Sequence, residues 1–174
     1  IELGIAYLSE DRKDLGLFVG MSVKDNVVVT CLDKVVSKYS ILQEDKISKI
    51  TEDYIENLGI VPKDENKIVY NLSGGNQQKV LFAKWLASKP TILIVDEPTK
   101  GVDIGAKAKI HFLLRDLAEQ GVAILMISSE LPEIIGLSDK VAVMHEGKVK
   151  RILENENLDE ETIMAQVFEE RDEI

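Results

Sequence analysis

The chain has 174 residues, with 21 Lys and Arg against 31 Asp and Glu and a formal net charge of −10 at pH 7. That length supports one domain with a real core and is short for two; the acidic balance, the lack of a basic run and an aromatic content of 5% exclude a face built to hold a nucleic-acid backbone. The one cysteine, Cys31, excludes an internal disulfide framework, suits a reducing cytoplasm and reads as a small buried apolar side chain.

In chain order, Ile1 to Leu8 reads as a short strand and Ser9-Glu10-Asp11-Arg12-Lys13 as the polar loop after it. Ser22 is a reasonable helix cap, with Val23, Val27, Val28 and Cys31 following at helical intervals. A second helix is predicted from Glu44 to Leu58, with Ile47, Ile50, Tyr54, Ile55 and Leu58 on one face; Gly59 ends it and Pro62 prevents its resumption.

The stretch from Leu72 to Asp103 organises the rest. Ser73 can cap a helix through its hydroxyl, while Gly74 and Gly75 remove side chains that would keep an anion from the free backbone N–H groups. Helix polarity adds partial positive charge at that end, although an ordinary serine cap would read the same way. The helix is predicted over 74–88, burying Val80, Leu81, Trp85 and Leu86. Thr91 to Val95, an apolar run after Pro90, reads as a central parallel strand covered on both faces. It delivers Asp96 and Glu97 to the sheet edge where open parallel sheets bind ligands. Neighbouring carboxylates on an extended backbone point apart, so one can serve a metal while the other faces a reacting water.

A helix follows from Ile104 to Glu119, with Ile110, Leu113, Leu114 and Leu117 on one stripe and His111 as a plain surface or packing residue. Val122 to Ile127 is the next buried strand, too short to cross a bilayer, and leads through Ser128-Ser129-Glu130 into a helix with Pro132 in its first turn. Lys140 to His145 and Lys148 to Leu153 form a hairpin around Glu146-Gly147, with His145 as a turn residue at its tip. The tail from Asp159 to Phe168 is helical, burying Ile163, Met164 and Val167.

These residues carry a family resemblance. LSGGNQQ resembles the signature motif of ATP-binding cassette (ABC) ATPases, ILIVDEPT their Walker B strand with its catalytic glutamate, and KGVD their D-loop, in the family's order and spacing. The wording TKGVDIGAKAKI more specifically resembles the second cassette of the tandem ATPases that drive bacterial monosaccharide importers. The resemblance implies an α/β, P-loop NTPase-like fold, a three-layer sandwich with a mostly parallel sheet and a helical subdomain at about 14–90; 1–13 and 91–174 make up the remaining core, hairpin and helix. It also implies a site: Glu97 and Ser129 as catalytic residues, Asp96 and Glu10 at a magnesium ion, and Ser73, Gly74, Gly75, Gln77 and Asp103 toward ATP. Glu10 stands where the family carries a glutamine, and by itself also reads as part of a charged surface loop. Ser129 stands where the family usually has a histidine, and serine can donate one hydrogen bond yet carries no charge.

None of the 11 glycines opens a G-x-x-x-x-G-K-[ST] phosphate cradle. The resemblance places that motif upstream of Ile1, so the chain is expected to be the C-terminal two-thirds of a cassette that binds nucleotide very weakly alone and self-associates through uncovered apolar faces. Ile1-Glu-Leu-Gly lacks the basic opening of a signal peptide, so the expected location is the cytoplasmic face of the membrane, reached through a partner. Implied partners are a second cassette, transmembrane permease subunits and, indirectly, a solute-binding protein. The leading function is an ATPase component that powers import of a monosaccharide or similar solute. A cassette of another ABC system, or a non-catalytic docking or dimerisation module, remains the alternative.

Overall fold

The structure is a computed structural model that describes residues 1–168. Two compact units divide the chain, Ile1–Ile127 and a second beginning at Ser128. The first contains β1 (Ile5–Leu8), α1 (Val23–Val28), α2 (Leu32–Val35), α3 (Glu44–Leu58), α4 (Gly74–Leu86), β2 (Ile92–Asp96), α5 (Ile104–Glu119) and β3 (Ala123–Ile127). The second contains α6 (Leu131–Leu137), β4 (Lys140–His145), β5 (Lys148–Glu154) and α7 (Glu160–Phe168).

In the first unit the three strands are parallel in the order β1-β2-β3, so β2 is central as its apolar run predicts. The register pairs Ile94 with Tyr7 on one side and with Leu125 on the other. Alternation then assigns Ala6, Leu8, Leu93 and Val95 to one face, where all four are buried, against α4 with its buried Val80, Leu81, Phe82 and Ala83. Phe82 is the largest of the fully buried side chains, and its truncation to alanine would cost about 3–5 kcal/mol. The opposite face stays open: Ile5, Tyr7, Ile92, Leu125 and Ile127 are exposed. The expectation of a strand covered on both faces is therefore corrected. The residues of this chain cover one side, and an unbroken apolar run does not distinguish one-sided from two-sided burial.

The helices form as their termini dictate. Ser22 and Asp25 make a capping box at the start of α1. Cys31, expected on that helix, lies past its end as a buried residue before α2. Helix α3 spans the predicted residues and ends at Gly59, whose φ of 60° is the left-handed cap expected of glycine. Its buried positions are Ile47, Thr51 and Ile55, with Thr51 Oγ1 donating to Ile47 O at 2.8 Å; Ile50, Tyr54 and Leu58 are only half-buried. Helices α1, α3 and α4 pack on one another, and α5, in which Ile110, Leu114 and Leu117 are buried, packs on β3. Trp85 is half-buried rather than buried, whereas Gln77, Gln78 and Lys84 on the same helix lie inside.

The second unit is a hairpin covered by α7. Its core is Val141, Val143 and Ile163, with Leu131, Ile134, Leu153 and Val167 against it. The turn is the predicted Glu146-Gly147, with positive φ at both residues. Met164 is exposed, not buried, because Ile163 already faces the hairpin one residue earlier and neighbouring helical positions diverge.

Candidate functional site

Strand β2 brings Asp96 and Glu97 to the carboxyl edge of the sheet, both half-buried. Asp96 lies two residues beyond Ile94, on the same face as Tyr7, and Tyr7 Oη donates to Asp96 Oδ2 at 2.8 Å. That hydrogen bond, first among several causes, holds the Tyr7 hydroxyl above its ordinary pKa. Reading along the chain did not single out Tyr7; its signal was the polar-tipped ring alternating with Ala6 and Leu8.

After Asp96 the backbone turns sharply. Glu97 adopts φ 49°, a left-handed conformation uncommon outside glycine, with its N–H donating to Ile127 O at 2.8 Å. Residues in such backbone states cost about 1–3 kcal/mol and cluster at functional sites. Lys100 N–H donates to Glu97 O at 3.1 Å, closing the turn that leads into Gly101 to Asp103. Asp103 caps α5, its Oδ1 accepting from Ala106 N at 2.9 Å.

Ser73 caps α4, accepting from Asn76 N at 3.4 Å and from Asn76 Nδ2 at 2.9 Å. Gly74 and Gly75 fill the first turn, and a Cβ on Gly75 would stand 3.4 Å from Ala106 Cβ and 3.6 Å from Asp103 Oδ2. The N-terminal turns of α4 and α5 therefore face each other across a cleft of about 230 Å³ lined by Ser73, Asp103, Lys79 and Lys109 among others. Burial, ahead of the nearby Lys109 charge, lowers the Lys79 pKa.

Four sequence-predicted residues, Ser73, Gly74, Gly75 and Asp103, thus adjoin one another, with Asp96 ending the strand and Glu97 opening the turn that lead into the same loop. Gln77 turns away from the cleft. It is 4% exposed, and its Nε2 donates to Val69 O at 3.2 Å and to Leu72 O at 3.3 Å, supporting the backbone ahead of the serine cap. Glu10 is ion-paired with Lys100, which raises the lysine pKa chiefly through their hydrogen bond. Ser129 belongs to the second unit, where the preceding Ser128 donates from its Oγ to Glu133 Oε2 at 2.6 Å and organises the start of α6.

The donors suit a magnesium ion brought in with phosphates. Such an ion takes one or two protein carboxylates and completes its shell with water and phosphate oxygens. Asp96, with Glu97 beside it, meets that demand; no group of three or more ligating side chains occurs among the described residues.

The ABC transporter family model matches residues 2–100. The chain is 52% identical over 164 residues to the ribose import ATP-binding protein RbsA of Geobacillus kaustophilus, covering 94% of this chain and 33% of that protein. It is 49% identical to the xylose import ATP-binding protein XylG of Thermoanaerobacter pseudethanolicus, over 94% of this chain and 32% of that one. The chain thus spans about a third of the length of the curated relatives it matches. Among solved structures it superposes on the post-hydrolysis dimer of the ATP-binding cassette MJ0796 bound to ADP and Pi, with a TM-score of 0.73 and 22% identity over 87% of this chain and 62% of that one. A nucleotide-free ATP-binding cassette from an ABC transporter matches with a TM-score of 0.70 and 21% identity over 95% of this chain and 65% of that one. The family match over more than half of its residues, on a parallel sheet that ends in Asp96 and Glu97, establishes that this chain belongs to the ABC transporter family of ATP-binding cassettes.

Proposed function

We propose that the chain is the later part of a cassette that hydrolyses ATP to power import of a monosaccharide. The observation that carries this reading is the Asp96-Glu97 pair at the carboxyl edge of the central strand, in a chain about half identical to ribose and xylose import ATP-binding proteins. When bound, magnesium supplies charge neutralisation at the phosphates. Asp96 would hold the ion, Tyr7 engaging only one of its two carboxylate oxygens. Glu97 orients the attacking water and accepts its proton. Ser73 Oγ and the N–H groups of Gly74 and Gly75 donate to the terminal phosphate of nucleotide held by a facing cassette. Asp103 supports the interface between the two, and Ser129 offers a neutral donor.

Glu10 has one carboxylate oxygen on Lys100 and the other left to serve as a metal ligand, and Gln77 acts through the backbone it supports. Residues about 14–90 form the part that docks on permease subunits at the cytoplasmic face of the membrane, and a solute-binding protein delivers the sugar. No helix among the described residues is long and apolar enough to cross a membrane, which fits attachment through such a partner. Outside a full assembly, the open sheet face favours self-association.

The test is Glu97→Gln in the full-length protein. Turnover is expected to fall while nucleotide binding persists, and to fall less than after the equivalent change in the partner cassette, because Glu10 and Ser129 both depart from the family's usual residues. Unchanged turnover would refute the catalytic assignment; an equal or greater loss would refute a slower site.

A further inference from the structure

The first turn of α4 comes close to the backbone of the loop after β2: a Cβ on Gly74 would stand 3.4 Å from Gly101 O. Arg12, from the π-helical turn Arg12–Gly16 that follows β1, covers that point. Its Nη1 donates to Lys100 O at 3.1 Å. Its Nη2 would lie 2.9 Å from a Cβ on Gly74 and 3.6 Å from one on Gly101, so the guanidinium lies against both glycines. The base of the arginine is held as well, since Asp11 caps its turn by accepting from Lys13 N and Asp14 N. Lys100, whose carbonyl Arg12 holds, is tied through its ammonium to Glu10, so the same two loops are joined twice. Arg12 Nε is buried without a partner, so the guanidinium is held here by its Nη1 bond to Lys100 O and by packing against the two glycines.

We infer that Arg12 is a positioning residue, a strap that fixes the distance between the phosphate-facing turn at Ser73 to Gly75 and the loop that leads from Glu97 to Asp103. The inference rests on the ATPase reading for its consequence in turnover, and on the geometry alone for its consequence in local motion. Gly74 has no positive φ, and a side chain there would displace the end of Arg12 and crowd its own N–H. A lysine cannot replace the strap: one ammonium lacks the fork that reaches a carbonyl through one nitrogen while the other stands against two glycines.

The experiment compares Arg12→Ala and Arg12→Lys in the full-length protein, by hydrogen exchange and by ATP turnover. Exchange over 72–77 and 98–104 is expected to quicken about tenfold in both variants, with kcat lower by about tenfold and KM for ATP unchanged. Exchange over 44–58 reports whether each variant is folded; if Arg12→Ala is not, Arg12→Lys decides. Wild-type exchange in both segments, or full recovery of kcat by lysine, would overturn the strap, as would faster exchange with unchanged turnover in an active enzyme. Failure of the ATPase reading shows separately, as turnover indifferent to Glu97→Gln, and exchange then decides the strap by itself.

Discussion

Asn26 offers a test in which one atom changes and the sign depends on pH. Its side chain is 0% exposed and makes three hydrogen bonds: Oδ1 accepts from Phe18 N at 2.9 Å, while Nδ2 donates to Phe18 O at 3.0 Å and to Ser22 O at 2.9 Å. In Asn26→Asp the first bond survives, but an oxygen replaces the donor that faces two carbonyls. Protonated, the acid can donate to one of them, so the loss is one bond and an orphaned acceptor, about 1–2 kcal/mol. Ionised, it loses both donors and places a charge out of water, so burial raises its native pKa above the unfolded value of about 4. The native state then binds more protons than the unfolded state, and stability falls as pH rises from about 4 to the raised native value. The deficit relative to the parent chain should grow from about 1–2 kcal/mol at pH 4 to about 3–4 kcal/mol at pH 7. Urea unfolding followed by Trp85, the single tryptophan, measures both. Equal deficits at the two pH values, or a loss below about 1 kcal/mol at pH 7, would refute the reasoning.

Three further outcomes are expected. Tyr7→Phe removes the donor on Asp96 Oδ2 and should weaken divalent-cation affinity by about tenfold in the full-length protein, read by manganese titration against nucleotide. Lys84 is buried with its Nζ donating to Gly16 O at 2.8 Å and over the Phe18 and Trp85 rings, and burial lowers its pKa from 10.5. The native state then binds fewer protons than the unfolded state between the lowered value and 10.5, so stability should rise with pH across that window, a rise that Lys84→Met abolishes. The 174-residue chain by itself lacks a phosphate cradle and should bind Mg-ATP very weakly in a calorimetric titration, micromolar affinity being the contrary result.

What could be read from the sequence was what neighbours in the chain decide. Helix α3 was legible because its apolar period and Gly59 lie within one segment, and the hairpin because Gly147, suited to positive φ, separates two strand-length runs. The Asp96-Glu97 pair was legible because an apolar strand terminates in it. Arg12 and Lys100 are 88 residues apart, and Tyr7 and Asp96 are 89 apart, so no local pattern joins them. Gln77 looked like a ligand from its place in a motif, yet helix geometry three residues past Gly74 turns it inward. Thr51 could be buried only because its hydroxyl bonds back to Ile47 O, an option that hydrophobic periodicity does not register.

The left-handed backbone at Glu97 separates two properties that substitutions usually change together. Alanine and glycine at this position both delete the carboxylate and whatever it touches, but only glycine is at ease with φ near 49°. A Glu97→Gly chain should therefore be about 1 kcal/mol harder to unfold than Glu97→Ala, and on the proposed catalytic role equally inert. Selection for sturdiness alone would favour a residue without a side chain here.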